Sequence, residues 1–233
     1  QKDNPRGNAA AVSRPAPNRR ADLVLKNNRI VEVRDGFLDP SSLPGSPEVI
    51  DLSGQFVMPG LMDMHVHITF EIAPDRREQA LRLTTSMEAL RGAHYALETL
   101  RAGFTTVRDL GGDPEAVFAL RDSIRDGFVP GPRIVAAGSA LAATGGHGDV
   151  SGYKPELLEL WTPDTICDGP YDCRRAVRRA VKYGADWIKI TATGGVLSDT
   201  GTGLGQQMTD DELAEIVATA HALGVRVAAH AHG

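Results

Sequence analysis

The chain has 233 residues, is 42% hydrophobic and carries a formal net charge of −5 at pH 7, a profile that suits a folded domain with a sizeable core. The acidic balance argues against a surface that tracks nucleic-acid phosphates. No apolar run approaches the ~20 residues needed to cross a bilayer, so neither nucleic acid nor a membrane span is expected.

The first twenty residues, QKDNPRGNAAAVSRPAPNRR, are polar, Pro-rich and aperiodic, and read as a disordered tail over residues 1–20. The chain starts at Gln1 rather than Met, which fits either a removed leader or a trimmed chain. Both a cytoplasmic and a secreted or periplasmic location therefore stay open. Residues 21–58 then read as short strands, ADLVLKNNRIVEV and EVIDLSGQFVMP, around a loop from Asp39 to Pro47. The Asn27-Asn28 pair and Gly54 supply turn chemistry for hairpins in a small β-layer.

Next comes PGLMDMHVH, with His65 and His67 at the end of a predicted strand over 61–67. Residues two apart on a strand face the same way, so both imidazoles can reach one metal ion. From Gly60 onward the pattern alternates. Strands are expected near 61–67, 104–109, 132–137, 185–191 and 225–231, with helices near 77–102, 114–126, 171–183 and 209–223. Such alternation implies parallel βα units and an α/β fold. His94 and His221 lie inside predicted helices without a partner pattern and read as structural or surface residues.

His147 sits in the loop TGGHGD after the third of these strands, among small residues that let the backbone approach a ligand. Cys167 and Cys173 are close in sequence and suit either a short disulfide or two thiols. Arg174, Arg175, Arg178 and Arg179 read as the solvated face of a helix. Lys189 stands alone in the apolar strand WIKI, flanked by Ile188 and Ile190 that face the other way. Gly194, Gly195 and the run Gly201–Gly205 match no common phosphate motif and read as a lid or substrate loop. Thr209 and Glu212 form a capping box, Leu213, Ile216, Val217, Ala220 and Leu223 share a helical face, and Gly224 closes that helix. His230 and His232 then end the last strand. Side chains at the C-terminal ends of different strands in a (β/α)8 barrel converge on one site, so separation in sequence does not keep these residues apart.

The segments EVIDLSGQFVMPGLMDMHVH, AGFTTVRDLGG, ATGGHGD, GADWIKITATGGVLS and AAHAHG, in this order, resemble the amidohydrolase superfamily. Within it they are most similar to the branch of imidazolonepropionase-like proteins, Xaa-Pro and Xaa-Arg/Lys dipeptidases and ochratoxin-degrading amidohydrolases. The resemblance implies a (β/α)8 TIM-like barrel preceded by a small β-sandwich domain, with residues 21–58 forming the N-terminal part of that domain. Residues 59–233 hold about five βα units, against the ~250 residues of a whole barrel. The expectation is therefore a segment whose remaining strands lie elsewhere in a longer protein or on another chain.

For the site, the resemblance implies that His65 and His67 bind one divalent ion and His230 a second. Lys189, carboxylated by carbon dioxide, would bridge the two. Zinc is the first expectation among several suitable ions. Burial favours the neutral amine that carboxylation needs. His147 is expected to contact the substrate near its scissile carbonyl. His232 stands where many dipeptidase relatives carry tyrosine, which changes reach and protonation there. The implied activity is hydrolysis of an amide or peptide bond to a C-terminal amino acid by a metal-activated water, on an acyl-amino-acid or dipeptide, in a homo-oligomer as is common among relatives. Opening of a cyclic amide, as in imidazolonepropionase, and a non-catalytic metal-binding segment are the competing expectations.

Overall fold

The computed structural model describes residues 8–13, 20–196 and 203–232. The chain divides into two compact units, residues 1–59 and 60–233.

The first unit holds one four-stranded sheet in the order β3-β2-β1-β4, built from β1 (Asn8–Ser13), β2 (Arg20–Lys26), β3 (Arg29–Asp35) and β4 (Glu48–Ile50). Asn27 and Asn28, at φ 52° and 58°, form the tight turn between β2 and β3, the conformation that suits the twist of a two-residue hairpin. Asp22, buried in β2, accepts a hydrogen bond from the Leu38 amide and anchors the following loop. Strand β1 lies inside the stretch expected to be disordered. It pairs antiparallel with β2, from Ala9 opposite Val24 to Ser13 opposite Arg20, and parallel with β4. Periodicity did not reveal it, because its NAAAVS sequence lacks the alternation of a half-buried strand.

The second unit is a run of parallel strands with helices between them. Strands β5 (Leu61–Val66), β6 (Phe104–Asp109) and β7 (Arg133–Ala136) form one ladder, and β8 (Trp187–Thr191) and β9 (Arg226–His230) another. Backbone bonds link the two groups. The Asp186 amide donates to the Ala136 carbonyl at 2.8 Å, and Leu141 exchanges bonds of 2.8 and 3.0 Å with Lys189 and Thr191. The Asp186 carboxylate also accepts from the Ala136 amide and from Arg121.

Helix α1 (Arg76–Ala80) and helix α2 (Thr85–Arg101) replace the single helix expected over 77–102. Thr84 breaks the run: its extended backbone and its side chain, which accepts from the Met87 amide, cap α2. Helix α3 (Pro114–Arg125) follows β6. Helix α4 (Pro155–Trp161), started by a proline, was not expected; its seven residues are too few to show a clear period. Cys167 and Cys173 form a disulfide, resolving the alternative left open by their spacing. It ties the preceding loop to the first turn of α5 (Pro170–Lys182).

Helix α6 (Asp210–Ala222) carries the capping box read from Thr209 and Glu212. Glu212 does more than cap its own helix, because its other oxygen accepts from the Gly169 amide at 2.6 Å, just ahead of α5. Ile216 and Ala220 are fully buried, but Val217 and Leu223 are exposed, so the apolar stripe is narrower than expected. The arginine-rich face of α5 is also not simply solvated. Arg174 makes a two-pronged bond to Glu215 of α6 at 2.6 and 2.9 Å, and this partner holds the Glu215 carboxyl down at about 2.

Two cores lie behind the strands. Ile68, Ala96, Val107, Val117, Leu120 and Ile134 pack beneath β5–β7, and Val177, Ile188, Ile190, Met208, Ile216 and Ala220 beneath β8–β9. Ile188→Ala is expected to cost about 3 kcal/mol of unfolding free energy by emptying a closed core position, measured by urea titration. A loss below ~0.5 kcal/mol, the scale of surface changes, would mean that β8 is not packed on α5 and α6.

Candidate metal centre

Strand β5 ends in the His65/His67 pair. Its ladder with β6 is irregular between Asp63 and Val66, and the two rings lie 5.4 Å apart at 66°. His67 Nδ1 is 2.7 Å from the Gly111 carbonyl. A carbonyl only accepts, so Nδ1 carries the proton and Nε2 keeps its lone pair for a ligand. A methyl group on Gly111 would meet the His67 ring at 3.0 Å, which accounts for a glycine there.

The loop that orients His67 is held by Asp109, a fully buried carboxylate at the end of β6. It accepts from the Ile68 amide at 2.7 Å and the Gly111 amide at 3.1 Å. Burial pushes its pKa up to about 6, against the pull of those two amides and of His67. Asp109 was not singled out from the sequence, although the strand-to-glycine turn VRDLGG placed it at a strand's C-terminal end.

Lys189 occupies the middle of β8 and is 4% exposed. Ile188 and Ile190 belong to the core behind the sheet, so the lysine is on the opposite face. Burial, and then the charge of Arg108, lowers its pKa. His230 ends β9 opposite Thr191. Burial lowers its pKa as well, with His232 and Lys189 adding to the effect, while Nε2 donates to the Gly194 carbonyl at 3.3 Å. His65 is lowered by burial first, then by Lys189, His67, His230 and Arg108. These residues from three strands thus lie within electrostatic reach of one another.

His147 joins them from its loop. Its ring stacks on His230 with centroids 4.3 Å apart, and its amide donates to the Gln207 side chain at 2.8 Å. The His232 ring lies 4.6 Å from His230, and its amide donates to Thr193 Oγ1. A methyl group on Gly195 would meet the His147 and His230 rings at 2.6 and 2.9 Å, so the backbone runs against both. The glycine loop closes at its base through the Thr193–Gln206 bridge and the Gly194 amide to the Gly205 carbonyl. Gly201 and Thr202 lie outside the described residues. His94 and His221 are not in this cluster: His94 neighbours Tyr95, and His221 is exposed in the last turn of α6.

Among the described residues, no three His, Cys, Asp or Glu side chains are grouped so as to hold a metal ion. Lys189 is a further side chain within electrostatic reach of these imidazoles. Its buried setting and depressed pKa fit conversion to a carbamate, and the depressed imidazoles fit ligation in the neutral form.

Residues 56–233 match the sequence profile of the Amidohydrolase family. The chain belongs to that family. Ochratoxinase of Aspergillus niger is 34% identical over 193 residues, covering 76% of this chain and 39% of ochratoxinase. A crystal structure of a Xaa-Pro dipeptidase with methionine bound in its active site superimposes with a TM-score of 0.85 and 35% identity, over 97% of this chain and 57% of the dipeptidase. The structure of A. niger ochratoxinase gives 0.75 and 28%, over 98% of this chain and 56% of that one. The chain thus spans between two fifths and three fifths of the length of these amidohydrolases. Their fold is of the TIM-barrel type, in keeping with the parallel strands of the second unit.

Because the folded value of Asp109, about 6, lies above its ordinary 3.8, the folded chain binds this proton more tightly than the unfolded one. The resulting stabilisation is full below about pH 4 and is lost as pH rises through 6. In chelator-treated protein, Asp109→Asn is expected to flatten this part of the pH–stability curve. It should also lower the curve, since the amide nitrogen cannot accept from one of the two backbone donors. An unchanged slope between pH 4 and 6 would place the titration elsewhere.

Proposed function

We propose that the second unit forms part of a closed (β/α)8 barrel and that the first unit's sheet belongs to a small β-sandwich domain. The barrel would carry a two-ion centre that hydrolyses an amide or peptide bond to a C-terminal amino acid. The observation that carries this reading is Lys189, buried on the face of β8 opposite the core and in electrostatic reach of His65 and His230. An unpaired lysine is costly to bury as a cation, whereas a carbamate in its place is an anion with two oxygens. His65 and His67 would hold one ion, His230 the second, and carboxylated Lys189 both. When bound, such ions acidify a water and polarise the scissile carbonyl.

The chain's own residues do the rest. The Gly111 carbonyl fixes the His67 tautomer that offers Nε2. For His230 to ligate through Nε2, that nitrogen must give up the proton it now donates to the Gly194 carbonyl. His147, stacked on His230 and held through its amide by Gln207, would donate a hydrogen bond to the carbonyl oxygen as negative charge develops there. His232, exposed and next to His230, would touch the substrate rather than ligate. The substrate of this reading is an acyl-amino-acid or dipeptide with a free carboxylate. The names of ochratoxinase and the Xaa-Pro dipeptidase support a substrate of that class.

Elemental mass spectrometry of the purified protein is expected to find two divalent ions per chain, zinc first among them. Chelation should abolish hydrolysis of an N-acyl amino acid or a dipeptide. After growth with ¹³C-bicarbonate, a carbamate carbon signal should be present and should vanish in Lys189→Ala. Metal-free protein whose hydrolysis resists chelators would overturn the reading.

A further inference from the structure

Strand β5 leaves its ladder with β6 between Asp63 and Val66, so the backbone groups of Met64 and His65 must be satisfied in another way. Two side chains take over. The His65 amide donates to the Asp63 carboxylate at 3.0 Å, and Arg108 Nε donates to the Met64 carbonyl at 2.8 Å. The Arg108 guanidinium is itself clamped: its central carbon sits 4.5 Å over the Trp187 ring of β8, and that of Arg226 from β9 sits 5.8 Å from the same ring. One planar group on β6 therefore grips the main chain of β5 while stacked on an aromatic ring of β8.

We propose that Arg108 is a positioning residue for the His65/His67 donor pair, holding the irregular end of β5 that sets the direction of both imidazoles. This rests on the two-ion reading above. A strand arginine with a purely solubilising role would extend its head to water and bond nothing in the main chain. Here Nε is spent on the carbonyl immediately before His65. Lysine could keep the charge but not the flat, directional fork that both stacks on Trp187 and meets a carbonyl. Asp63 is the second half of the device, because it supplies the acceptor that the ladder no longer gives to His65.

The test compares wild type with Arg108→Met, Arg108→Lys, Asp63→Ala and Asp63→Asn, using calorimetric zinc titration of chelated protein with bicarbonate present. Arg108→Met and Asp63→Ala are expected to weaken one of the two ions by about 10–100-fold, the usual effect of removing a group that orients a ligand, and to leave the other unchanged. Asp63→Asn keeps a carbonyl acceptor and should bind like wild type, whereas Arg108→Lys should not recover the loss. Equal weakening of both ions together with a lower Tm, or no weakening of either, would overturn the assignment.

A second measurement needs no metal. By amide hydrogen exchange, the His65 amide of Arg108→Met should exchange about tenfold faster, because it shares a peptide unit with the Met64 carbonyl that Arg108 no longer holds, with the β8–β9 amides unaffected. Wild type that binds no zinc would sink the two-ion reading, while the exchange result would still decide whether Arg108 holds β5. If Arg108→Met does not fold, Arg108→Lys supplies both readouts.

Discussion

The constraint on which the site depends is the burial of a lysine among imidazoles. Lys189 is fixed there because Ile188 and Ile190, its neighbours on β8, are committed to the core behind the sheet, and alternation along the strand leaves the lysine only the other face. On that face it meets His65, His230 and the charge of Arg108. Burial first, and then the neighbouring charges, lower Lys189, His65 and His230. On the two-ion reading, carboxylation of Lys189 would put an anion where a lysine cation is costly to bury.

A second constraint is how closely the backbone must approach the rings. Gly111 lies against His67, and Gly195 against both His147 and His230, at distances that leave no room for a side chain. These glycines let main-chain groups, rather than long and mobile side chains, orient the imidazoles. Asp109 extends the same logic one step outward. It orders the Gly111 loop through two amides, at the expense of a carboxylate held where water does not reach.

Much of this was legible in the sequence, and the exceptions have physical causes. The strands that carry or lead into His65, His67, Lys189 and His230 announced themselves, because parallel strands between helices are compact apolar runs in which polar residues stand out. The capping box at Thr209 was equally plain, since it is a local hydrogen-bond pattern. Glu212 reaching across to Gly169, Arg174 finding Glu215, and Arg108 crossing to Met64 are contacts between elements, and no period along the chain encodes them. Helix α4 and strand β1 were missed because neither carries an apolar period. The break before α2 is set by one hydroxyl at Thr84, which competes with the helix for a backbone amide.

The helix layer behind the site explains why the donors are carried on strands and not on loops. Helices α5 and α6 are cross-tied by Arg174 to Glu215, and Glu212 binds the entry to α5 while capping α6. The Cys167–Cys173 bond closes the loop into α5. Together these ties press Val177, Ile216 and Ala220 onto the back of β8 and β9, so a rotation of Lys189 or His230 would have to drag a packed core with it. Donors must keep their direction to within small angles, and rigid strands backed by a braced layer provide that. The loops that carry His147 and His232 lie outside that braced layer, and hydrogen bonds from their amides to the Gln207 and Thr193 side chains hold them. Such a division would let a loop vary in sequence without disturbing the packed face of β8 and β9.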